Sequence, residues 1–570
     1  MYHGIGVSKG IEIGKALIYE NKPISQTGKM INLADVPGEK AKVDKAIAQA
    51  VEQMQELLSH IDRSKDETAA DLLEIHIELA EDPTFIKKIY HYIEISLNEA
   101  LDAVLRTTDE MVTMFNEMDD EYYRARAADI RDVGNRVAYC LLGVKKLDLS
   151  VLPENTIIFA DDLTPSETIT MDKDHVLGFV TRRGSKTSHT AILANIIEIP
   201  AIVGAEIDKV QNGDQVIIDG SVGAFIVNPT QSELKIYAER RQKFYENVAR
   251  LKQLRDLPAV TSDGKHAEIF INISEPKEAA KLEEVGATGV GLFRTEFLYM
   301  NAPSQPGEED QFNAYKEAAI RAKGQPVIIR TLDVGGDKKL PYLAIPEEDN
   351  PFLGYRAIRF CLDNPELFKT QLRAILRASA FGNLRIMFPM ICAESEIQRA
   401  KQLLEECKRD LDKENVAYDK DIKVGIMVEI PSVAAAAEVY ARDVDFFSIG
   451  TNDLCQYTLA VDRMNQKIAP LYTPFNPGVL RLIRSTIEGG HKAGIPVGMC
   501  GEMASDPTAA PLLIAMGLDE FSVSPSSVPY VKDLLRSISF EKARQLLEHV
   551  MQMSSSVAIK KYMEEQLYDK

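Results

Sequence analysis

The sequence lacks the features that mark secreted, membrane-spanning and zinc-binding proteins. Its six cysteines lie far apart, with no CxxC pair and no histidine spacing suited to zinc. No charged and then apolar leader opens the chain, and no run of about 18 apolar residues could span a bilayer. These absences predict a cytoplasmic protein whose thiols are mostly buried and reduced.

Positive charge is also scarce. The chain carries 66 lysines and arginines against 86 aspartates and glutamates, which gives a formal net charge of −20. An acidic surface repels the phosphates of nucleic acids and of anionic membranes, so we expect no nucleic acid and no membrane insertion. It suits a basic protein partner, although most acidic proteins use such charge only for solubility.

The 570 residues are enough for about three domains, and the composition is that of a globular protein. Short apolar runs in residues 4–20 and 156–228 predict an α/β domain made of residues 1–35 and 144–228. Between them, apolar residues recur every three or four positions: Val43, Ile47, Val51, Met54, Leu58 and Ile61. This period predicts a helical subdomain, residues 36–143, inserted into the α/β domain. A plain helical bundle with no role beyond stability has the same period.

The second half of the chain has a different pattern. A charged helical stretch at residues 229–255 predicts a linker, and residues 256–570 then alternate short apolar runs with longer helical segments. The number and spacing of these runs predict a (β/α)8 barrel. The eight predicted strands are Ile269–Ile273, Gly289–Phe293, Val327–Arg330, Arg385–Pro389, Gly425–Val428, Phe446–Ile449, Pro496–Met499 and Glu520–Val523.

Polar residues follow these predicted strands, where a barrel places its chemistry. They are Arg294, Glu296, Arg330, Asp333, Glu429, Asn452, Asp453, Cys500 and Glu502, with Arg356 and Arg463 nearby. Several arginines on one rim favour a small substrate that carries both phosphate and carboxylate. Glu429 and Asp453 offer the oxygen ligands that Mg²⁺ uses, although a carboxylate beside an arginine is also an ordinary ion pair.

One further segment stands out in the α/β domain. A predicted strand, Val176–Thr181, leads into a loop of glycine and hydroxyl residues and then into an apolar helix that begins near His189. Free backbone N–H groups and the positive end of a helix favour a phosphoryl group on this histidine and keep its ring neutral. A histidine in such a loop can equally be a helix cap or a core hydrogen-bonding residue.

Together these motifs make the chain resemble the phosphoenolpyruvate-utilising phosphotransferases, most closely the Enzyme I family of the bacterial sugar phosphotransferase system. The resemblance covers essentially the whole chain. Its motifs are the opening Gly4–Gly10, Leu163–Thr168, Thr187–Thr190, Gly291–Glu296, Arg330–Asp333, Asn350–Arg359, Val428–Ser432, Ser448–Gln456, Ala460–Arg463 and Met499–Glu502.

The resemblance implies a role for each candidate residue. It implies that His189 accepts the phosphoryl group of phosphoenolpyruvate and that Cys500 protonates the enolate as pyruvate forms. Mg²⁺ would bind to Glu429 and Asp453. Phosphoenolpyruvate would be held by Arg294, Arg330, Asn452 and Arg463, with Arg356 facing the phosphate by its position in a family motif.

The resemblance also implies partners. The helical insert would dock the histidine phosphocarrier protein, which drives sugar uptake, with Glu67, Glu81 and Asp82 as contacts. The barrels would pair into a homodimer, and residues 229–255 would act as the hinge between loading and unloading. Two positions depart from the family pattern: Ser185 replaces a usual glycine or alanine, and Asn195 replaces a frequent arginine, which leaves the rate of transfer open.

Two other interpretations remain. A pyruvate-phosphate dikinase or phosphoenolpyruvate synthase shares the histidine loop and the barrel, but it needs a nucleotide-binding domain for which no segment here is long enough. A catalytically silent regulator could bind partners through the insert and keep the barrel as a scaffold. The presence of His189, Glu429, Asp453 and Cys500 together argues against a silent copy.

Overall fold

A computed structural model describes most of the chain. The described residues are 1–19, 24–60, 67–116, 121–143, 149, 152–163, 175–184, 194, 199–300, 302, 304–336, 340, 342–343, 345–346, 348–465 and 467–568. The chain divides into two compact units, Met1–Asn247 and Val248–Lys570. Among the described helices, none combines the length and the apolar character needed to cross a bilayer.

The first unit contains a mixed eight-stranded sheet. Strands β3 to β6 run parallel, and the other neighbouring pairs are antiparallel, in the order β1-β8-β7-β3-β4-β5-β6-β2. Buried aliphatic and aromatic side chains cover the central strands, as expected for a sheet packed on both faces. The strands are β1 (Tyr2–His3), β2 (Ile5–Ser8), β3 (Ile11–Tyr19), β4 (Thr156–Ala160), β5 (Val176–Thr181), β6 (Ala201–Val203), β7 (Gln215–Asp219) and β8 (Ala224–Val227).

Five helices lie among the described residues between β3 and β4, as the apolar period predicts. They are α1 (Val36–His60), α2 (Glu67–Ala80), α3 (Pro83–Glu94), α4 (Ala100–Asn116) and α5 (Glu121–Leu142). Val43, Met54, Ile89 and Val137 are among the fully buried residues of their shared core. Packing of these apolar faces stabilises the helices more than their intrinsic propensity does.

The second unit contains a closed barrel of eight parallel strands. The strands are β9 (Glu268–Ile273), β10 (Val290–Arg294), β11 (Val327–Arg330), β12 (Leu384–Phe388), β13 (Lys423–Val428), β14 (Phe446–Ile449), β15 (Val497–Met499) and β16 (Glu520–Val523). The eight predicted strands agree with them to within about two residues at each end. The α/β fold with a helical insert and a C-terminal barrel is therefore confirmed.

Helices connect the barrel strands and follow the last of them. Before the barrel, α6 (Gln231–Lys252) occupies the segment predicted as the linker. The others are α7 (Lys281–Val285), α8 (Glu296–Met300), α9 (Glu308–Arg321), α10 (Ile358–Asp363), α11 (Pro365–Ser379), α12 (Glu394–Glu414), α13 (Pro431–Ala435), α14 (Ala437–Tyr440), α15 (Thr451–Leu459), α16 (Pro477–Lys492), α17 (Ala510–Met516), α18 (Val528–Ser537), α19 (Phe540–Val550) and α20 (Ser556–Tyr568). The predicted boundaries between domains stay a prediction.

The barrel register sets the position of the candidate site. Arg294 pairs with Arg330 across β10 and β11, and Arg330 pairs with Met387 on β12, so three neighbouring strands end at one level. Leu292, Ile328, Met387, Met427 and Phe446 form a buried apolar cluster on the barrel strands, together with Cys500 directly after β15. A packed interior of this kind forces the chemistry of a barrel to its open, C-terminal end.

Candidate active site

Two buried arginines form the centre of the site at the C-terminal end of the barrel. Arg330, the last residue of β11, contacts Glu296 Oε1 at 2.5 Å and Asp333 Oδ2 at 3.1 Å. Arg356 contacts Asp333 Oδ1 at 3.0 Å and Asp453 Oδ2 at 3.4 Å. Asp333 therefore bridges the two guanidinium groups. These contacts pair the permanent charges of both arginines in a buried site, where an unpaired charge would be very costly.

Carboxylates dominate the electrostatics around these arginines. Burial would lower the pKa of Arg330, but Glu296, Asp333 and Glu429 outweigh it and hold the pKa above its usual value. Burial, reinforced by Asp453 and Asp333, raises the pKa of Glu429 to about 8. The carboxylates therefore repel one another, and a cation placed among them would relieve that repulsion.

The predicted metal ligands follow neighbouring strands. Glu429 comes directly after β13, and its Oε1 accepts a hydrogen bond from the Met390 backbone N–H at 2.5 Å. Asp453 lies in the first turn of α15, which follows β14. Its Oδ1 is buried and accepts no hydrogen bond from the described residues, with Arg463 Nη1 3.9 Å away. The structure thus brings Glu429 and Asp453 to the same end of the barrel.

These two carboxylates fit a magnesium ion. Glu429 Oε2 lies beside Gly450, where an added Cβ would approach it to 3.1 Å, so the glycine keeps the space next to this oxygen open. Among the described residues, no cluster of three or more His, Cys, Asp and Glu side chains is arranged to enclose a metal. Mg²⁺ commonly binds through only one or two carboxylates and takes its other ligands from substrate phosphate and water. The residues present match that pattern.

Cys500 lies directly after β15 and is buried. Burial raises the pKa of its thiol to about 11, despite the opposing effects of Ser448, Arg330 and Arg294. The thiol therefore stays protonated near neutral pH and can act as a proton donor rather than a nucleophile. Its backbone carbonyl accepts a hydrogen bond from Asn272 Nδ2 at 3.1 Å, which ties this loop to β9.

The remaining predicted barrel residues surround the buried centre. Arg294 and Arg463 are partly exposed, as a role in binding an incoming ligand requires. The amide of Asn452 is engaged with Glu502: its Nδ2 donates to Oε1 at 3.1 Å, and its Oδ1 accepts from the Glu502 backbone N–H at 3.0 Å. Asn452 therefore links the loops after β14 and β15.

Some predicted residues lie elsewhere. His189, Ser185 and Asn195 fall outside the described residues, and so does the side chain of Glu67. In the first unit, Glu81 is exposed, whereas Asp82 caps α3 by accepting from the backbone N–H groups of Thr84 and Phe85. Asp82 thus has a structural role of its own. The Asp82-Pro83 pair could have indicated this, since proline favours the first position of a helix.

Sequence reasoning did not find two contributors to the site. The first is the Met390 N–H that binds Glu429, which depends on a left-handed backbone at Met390, φ 57°. The second is Tyr457, which lies four residues after Asp453 on α15 and accepts a hydrogen bond from Arg356 Nη1 at 3.1 Å. Only the spacing of Tyr457 is visible in the sequence, because four residues along a helix return to the same face.

The arrangement suits one kind of chemistry. Arginines can clamp phosphate and carboxylate groups, while acidic side chains on the same rim can hold a hard cation. A protonated, buried thiol nearby can deliver a proton to carbon. The site can thus bind a small phosphorylated carboxylic acid and protonate the product of phosphoryl loss.

Family models match nearly the whole length of the chain. The model for the PEP-utilising enzyme, N-terminal, matches residues 3–126, and the model for the PEP-utilising enzyme, mobile domain, matches residues 152–223. The model for the PEP-utilising enzyme, PEP-binding domain, matches residues 248–540. The last of these includes every barrel residue predicted for the site.

Relatives of similar length share nearly half of the residues. Phosphoenolpyruvate-protein phosphotransferase of Staphylococcus carnosus is 44% identical over 564 residues, 99% of this chain and 98% of the relative. The same enzyme of Bacillus subtilis is 45% identical over 564 residues, 99% of each chain. A solution structure of an Enzyme I protein (nEIt) covers 43% of this chain and 100% of its own, at 38% identity and a TM-score of 0.39. The chain therefore belongs to the family of PEP-utilising enzymes, among the phosphoenolpyruvate-protein phosphotransferases.

Proposed function

We propose that this protein transfers the phosphoryl group of phosphoenolpyruvate to its own His189 and then to a histidine phosphocarrier protein that drives sugar uptake. The observation that carries the proposal is the charged cluster at the C-terminal end of the barrel. There Arg330, Asp333, Arg356 and Asp453 form a continuous chain of ion pairs beside Glu429. A cluster with both charges is what a phosphorylated carboxylate and its cation require.

Phosphoenolpyruvate binding falls to the arginines. Arg330 and Arg356 are fixed by carboxylates, so they hold their guanidinium groups in place before substrate arrives, which reduces the entropy lost on binding. Arg294 and Arg463 are partly exposed and complete the clamp. Asn452 contributes its amide, with Glu502 fixing the orientation of that amide.

Glu429 and Asp453 hold Mg²⁺ in this proposal. When bound there, the ion would supply charge neutralisation for the transferred phosphoryl group. The protein's contribution is to hold two oxygen ligands, one directly after β13 and one in the first turn of α15, each fixed by a neighbour. Met390 N–H fixes Glu429, and Arg356 fixes Asp453.

The transfer needs little covalent help. The bond between phosphorus and the enolic oxygen breaks as a bond from phosphorus to a ring nitrogen of neutral His189 forms, so the electron pair stays on the leaving enolate. The enolate then takes a proton at its terminal carbon from the Cys500 thiol and becomes pyruvate. Solvent returns a proton to the thiolate, whose high pKa favours this step.

The helical insert is proposed as the docking site for the carrier. A cavity of about 240 Å³ opens between its helices, and its lining is mostly apolar, with Leu79, Met111, Met114 and Phe115 among the residues. Met114 is 43% exposed, so a partner could reach this apolar lining. Glu67, Glu81 and Asp82 supply negative charge for a basic partner, with Asp82 also capping α3.

The wider organisation follows from the same proposal. Residues 1–35 and 144–228 form the phosphohistidine domain, residues 36–143 the carrier-binding subdomain, residues 229–255 the hinge and residues 256–570 the substrate-binding barrel. The barrel also forms the homodimer, and the protein works in the cytoplasm. Helix α6 contacts the phosphohistidine domain through Glu12, whose carboxylate accepts a hydrogen bond from Tyr245 and forms an ion pair with Arg241.

The test is incubation with labelled phosphoenolpyruvate and Mg²⁺, followed by assay of acid-labile, base-stable label on the protein. Wild type and a control, His266→Ala, should take up label, because His266 is an exposed residue of the other unit. His189→Ala should take up none. Label retained in His189→Ala would overturn the proposal by placing the phosphoryl group on another residue, and label absent from all three proteins would overturn it in favour of the silent regulator.

A further inference from the structure

Tyr457 lies at the point where three loops of the barrel meet. It belongs to α15, four residues after Asp453, so both side chains leave the same face of that helix. Its hydroxyl accepts a hydrogen bond from Arg356 Nη1 at 3.1 Å and donates a short one to the backbone carbonyl of Phe352. It also lies 3.9 Å from the sulfur of Met390.

The hydrogen bonds of the Tyr457 hydroxyl leave it no hydrogen for another acceptor. A tyrosine hydroxyl has one hydrogen to donate, and Phe352 takes it, while a lone pair serves Arg356. The two residues belong to the loop after β11, whereas Met390 belongs to the loop after β12. A single hydroxyl therefore joins the segment that carries Arg356 to the helix that carries Asp453.

The segment around Arg356 contains a strained residue, so neighbouring contacts must hold its backbone in place. Ala357 has φ 53° and ψ −125°, a backbone conformation that costs a non-glycine residue about 1–3 kcal/mol. Glu348 accepts hydrogen bonds from the Tyr355 backbone N–H, and Arg359 donates to the carbonyls of Leu353 and Gly354. These hydrogen bonds all lie within residues 348–359. Tyr457 connects it to the helix of the site.

We propose that Tyr457 is a positioning residue that sets the placement of Arg356 relative to Asp453 and thereby tunes the affinity for a phosphorylated carboxylate. The inference rests on the proposed function of the barrel. Tyr457 acts through Arg356, because its own hydroxyl hydrogen is committed to the Phe352 carbonyl. Its loss therefore affects substrate binding more than the chemical step.

The test compares Tyr457→Phe with Tyr440→Phe. Tyr440 is a matched control, since it is half-buried and its hydroxyl donates to the Cys392 carbonyl, also in the loop after β12, at 3.2 Å. Tyr457→Phe should raise the KM for phosphoenolpyruvate about tenfold and change kcat by less than about threefold, as expected for one hydrogen bond to a charged group. Tyr440→Phe should leave both constants unchanged.

A double-mutant cycle separates positioning from a general loss of structure. In an Arg356→Lys background, Tyr457→Phe should change KM by less than about twofold, because the fork that Tyr457 fixes is already gone. Independent, multiplying effects of the two substitutions would overturn the inference. An unchanged KM in Tyr457→Phe would overturn it equally.

Hydrogen exchange supplies a second readout that needs no turnover. Amides of Gly354–Ala357 should exchange faster in Tyr457→Phe than in wild type, and Tyr440→Phe should match wild type. Equal exchange in all three proteins would contradict the inference. Failure of the proposed function is distinguishable, since wild type itself would then take no label from phosphoenolpyruvate.

Discussion

The two ends of the same barrel differ in how their charged side chains are paired. At the C-terminal end, Arg330 and Arg356 each contact two carboxylates at 3.4 Å or less. At the N-terminal end, the half-buried Arg385 on β12 and Glu520 on β16 form no ion pair within 4.0 Å among the described residues. Glu520 Oε1 is buried and accepts no hydrogen bond from the part of the chain that the structure describes, and burial raises the pKa of this carboxyl to about 8.

The difference shows that a buried charge alone does not mark a site. Near neutral pH, Glu520 can remain uncharged by holding its proton, so it needs no partner. Arg330 and Arg356 cannot lose theirs, and the fold surrounds them with carboxylates from several loops. Paired charges of both signs at the ends of strands distinguish a binding site from packing.

The largest expected effect is on the metal ligand at the C-terminal end. Asp453→Asn keeps the shape of the side chain but weakens a cation ligand, so phosphorylation of the protein by phosphoenolpyruvate should fall by at least about 1000-fold. Rapid-quench assays with labelled phosphoenolpyruvate measure this fall. Glu520→Gln, the equivalent change at the other end, should keep the wild-type rate. Equal losses in both would remove the distinction between the two ends.

Replacement of an arginine should affect both activity and stability. Arg330→Met leaves Glu296 and Asp333 without their shared cation, so it should lower the free energy of unfolding by about 3–5 kcal/mol. Phosphoryl transfer should fall several-hundred-fold. Arg385→Met is the control and should keep activity. Urea denaturation and the labelling assay together check the result, and a stable, active Arg330→Met would contradict it.

Cys500→Ser should have a narrower effect. The hydroxyl of serine is a far weaker acid than the thiol, so pyruvate formation should slow about 100-fold while phosphoenolpyruvate affinity stays unchanged. Single-turnover measurement of pyruvate and of bound phosphoenolpyruvate separates the two quantities. Cys455→Ser is the control, because Cys455 is likewise a buried thiol but lies on α15. An equal slowing in both variants would argue against a role in proton donation.

The smallest effect should appear at the N-terminal end and depend on pH. The folded-state pKa of Glu520 is raised to about 8, so between about pH 4.5 and pH 8 this carboxyl ionises in the unfolded chain but stays protonated in the fold, and the fold loses stability as pH rises through that range. Glu520→Gln removes this cost. The variant should melt a few degrees above wild type near pH 8, and the gain should vanish near pH 5. Calorimetric melting at both pH values checks the sign, and a constant difference would contradict it.

Much of this fold can be predicted from the sequence. The eight barrel strands are short apolar runs separated by longer helical segments, so their ends could be predicted to within about two residues. Arg330, Glu429, Asp453 and Cys500 could be chosen because each follows such a run. Parallel strands in a barrel bring their C-terminal ends to one side, which converts positions in the chain into neighbours in space.

The rest depends on backbone geometry that side-chain patterns do not carry. The Met390 N–H reaches Glu429 because Met390 is left-handed, and Arg356 is followed by a strained Ala357. Neither residue type favours such conformations, so the surrounding packing imposes them. The hydrogen bond that Tyr457 donates could not be predicted from the sequence either, because its acceptor is the backbone carbonyl of Phe352 rather than a side chain.

The most direct test of the account is binding of phosphoenolpyruvate to His189→Ala, which cannot be consumed by transfer to His189. Titration calorimetry should give saturable binding with Mg²⁺ present and binding at least about tenfold weaker without it. Adding Asp453→Asn should abolish the difference made by Mg²⁺. Binding that is indifferent to Mg²⁺, or unchanged by Asp453→Asn, would contradict the assignment of the C-terminal end of the barrel as the site.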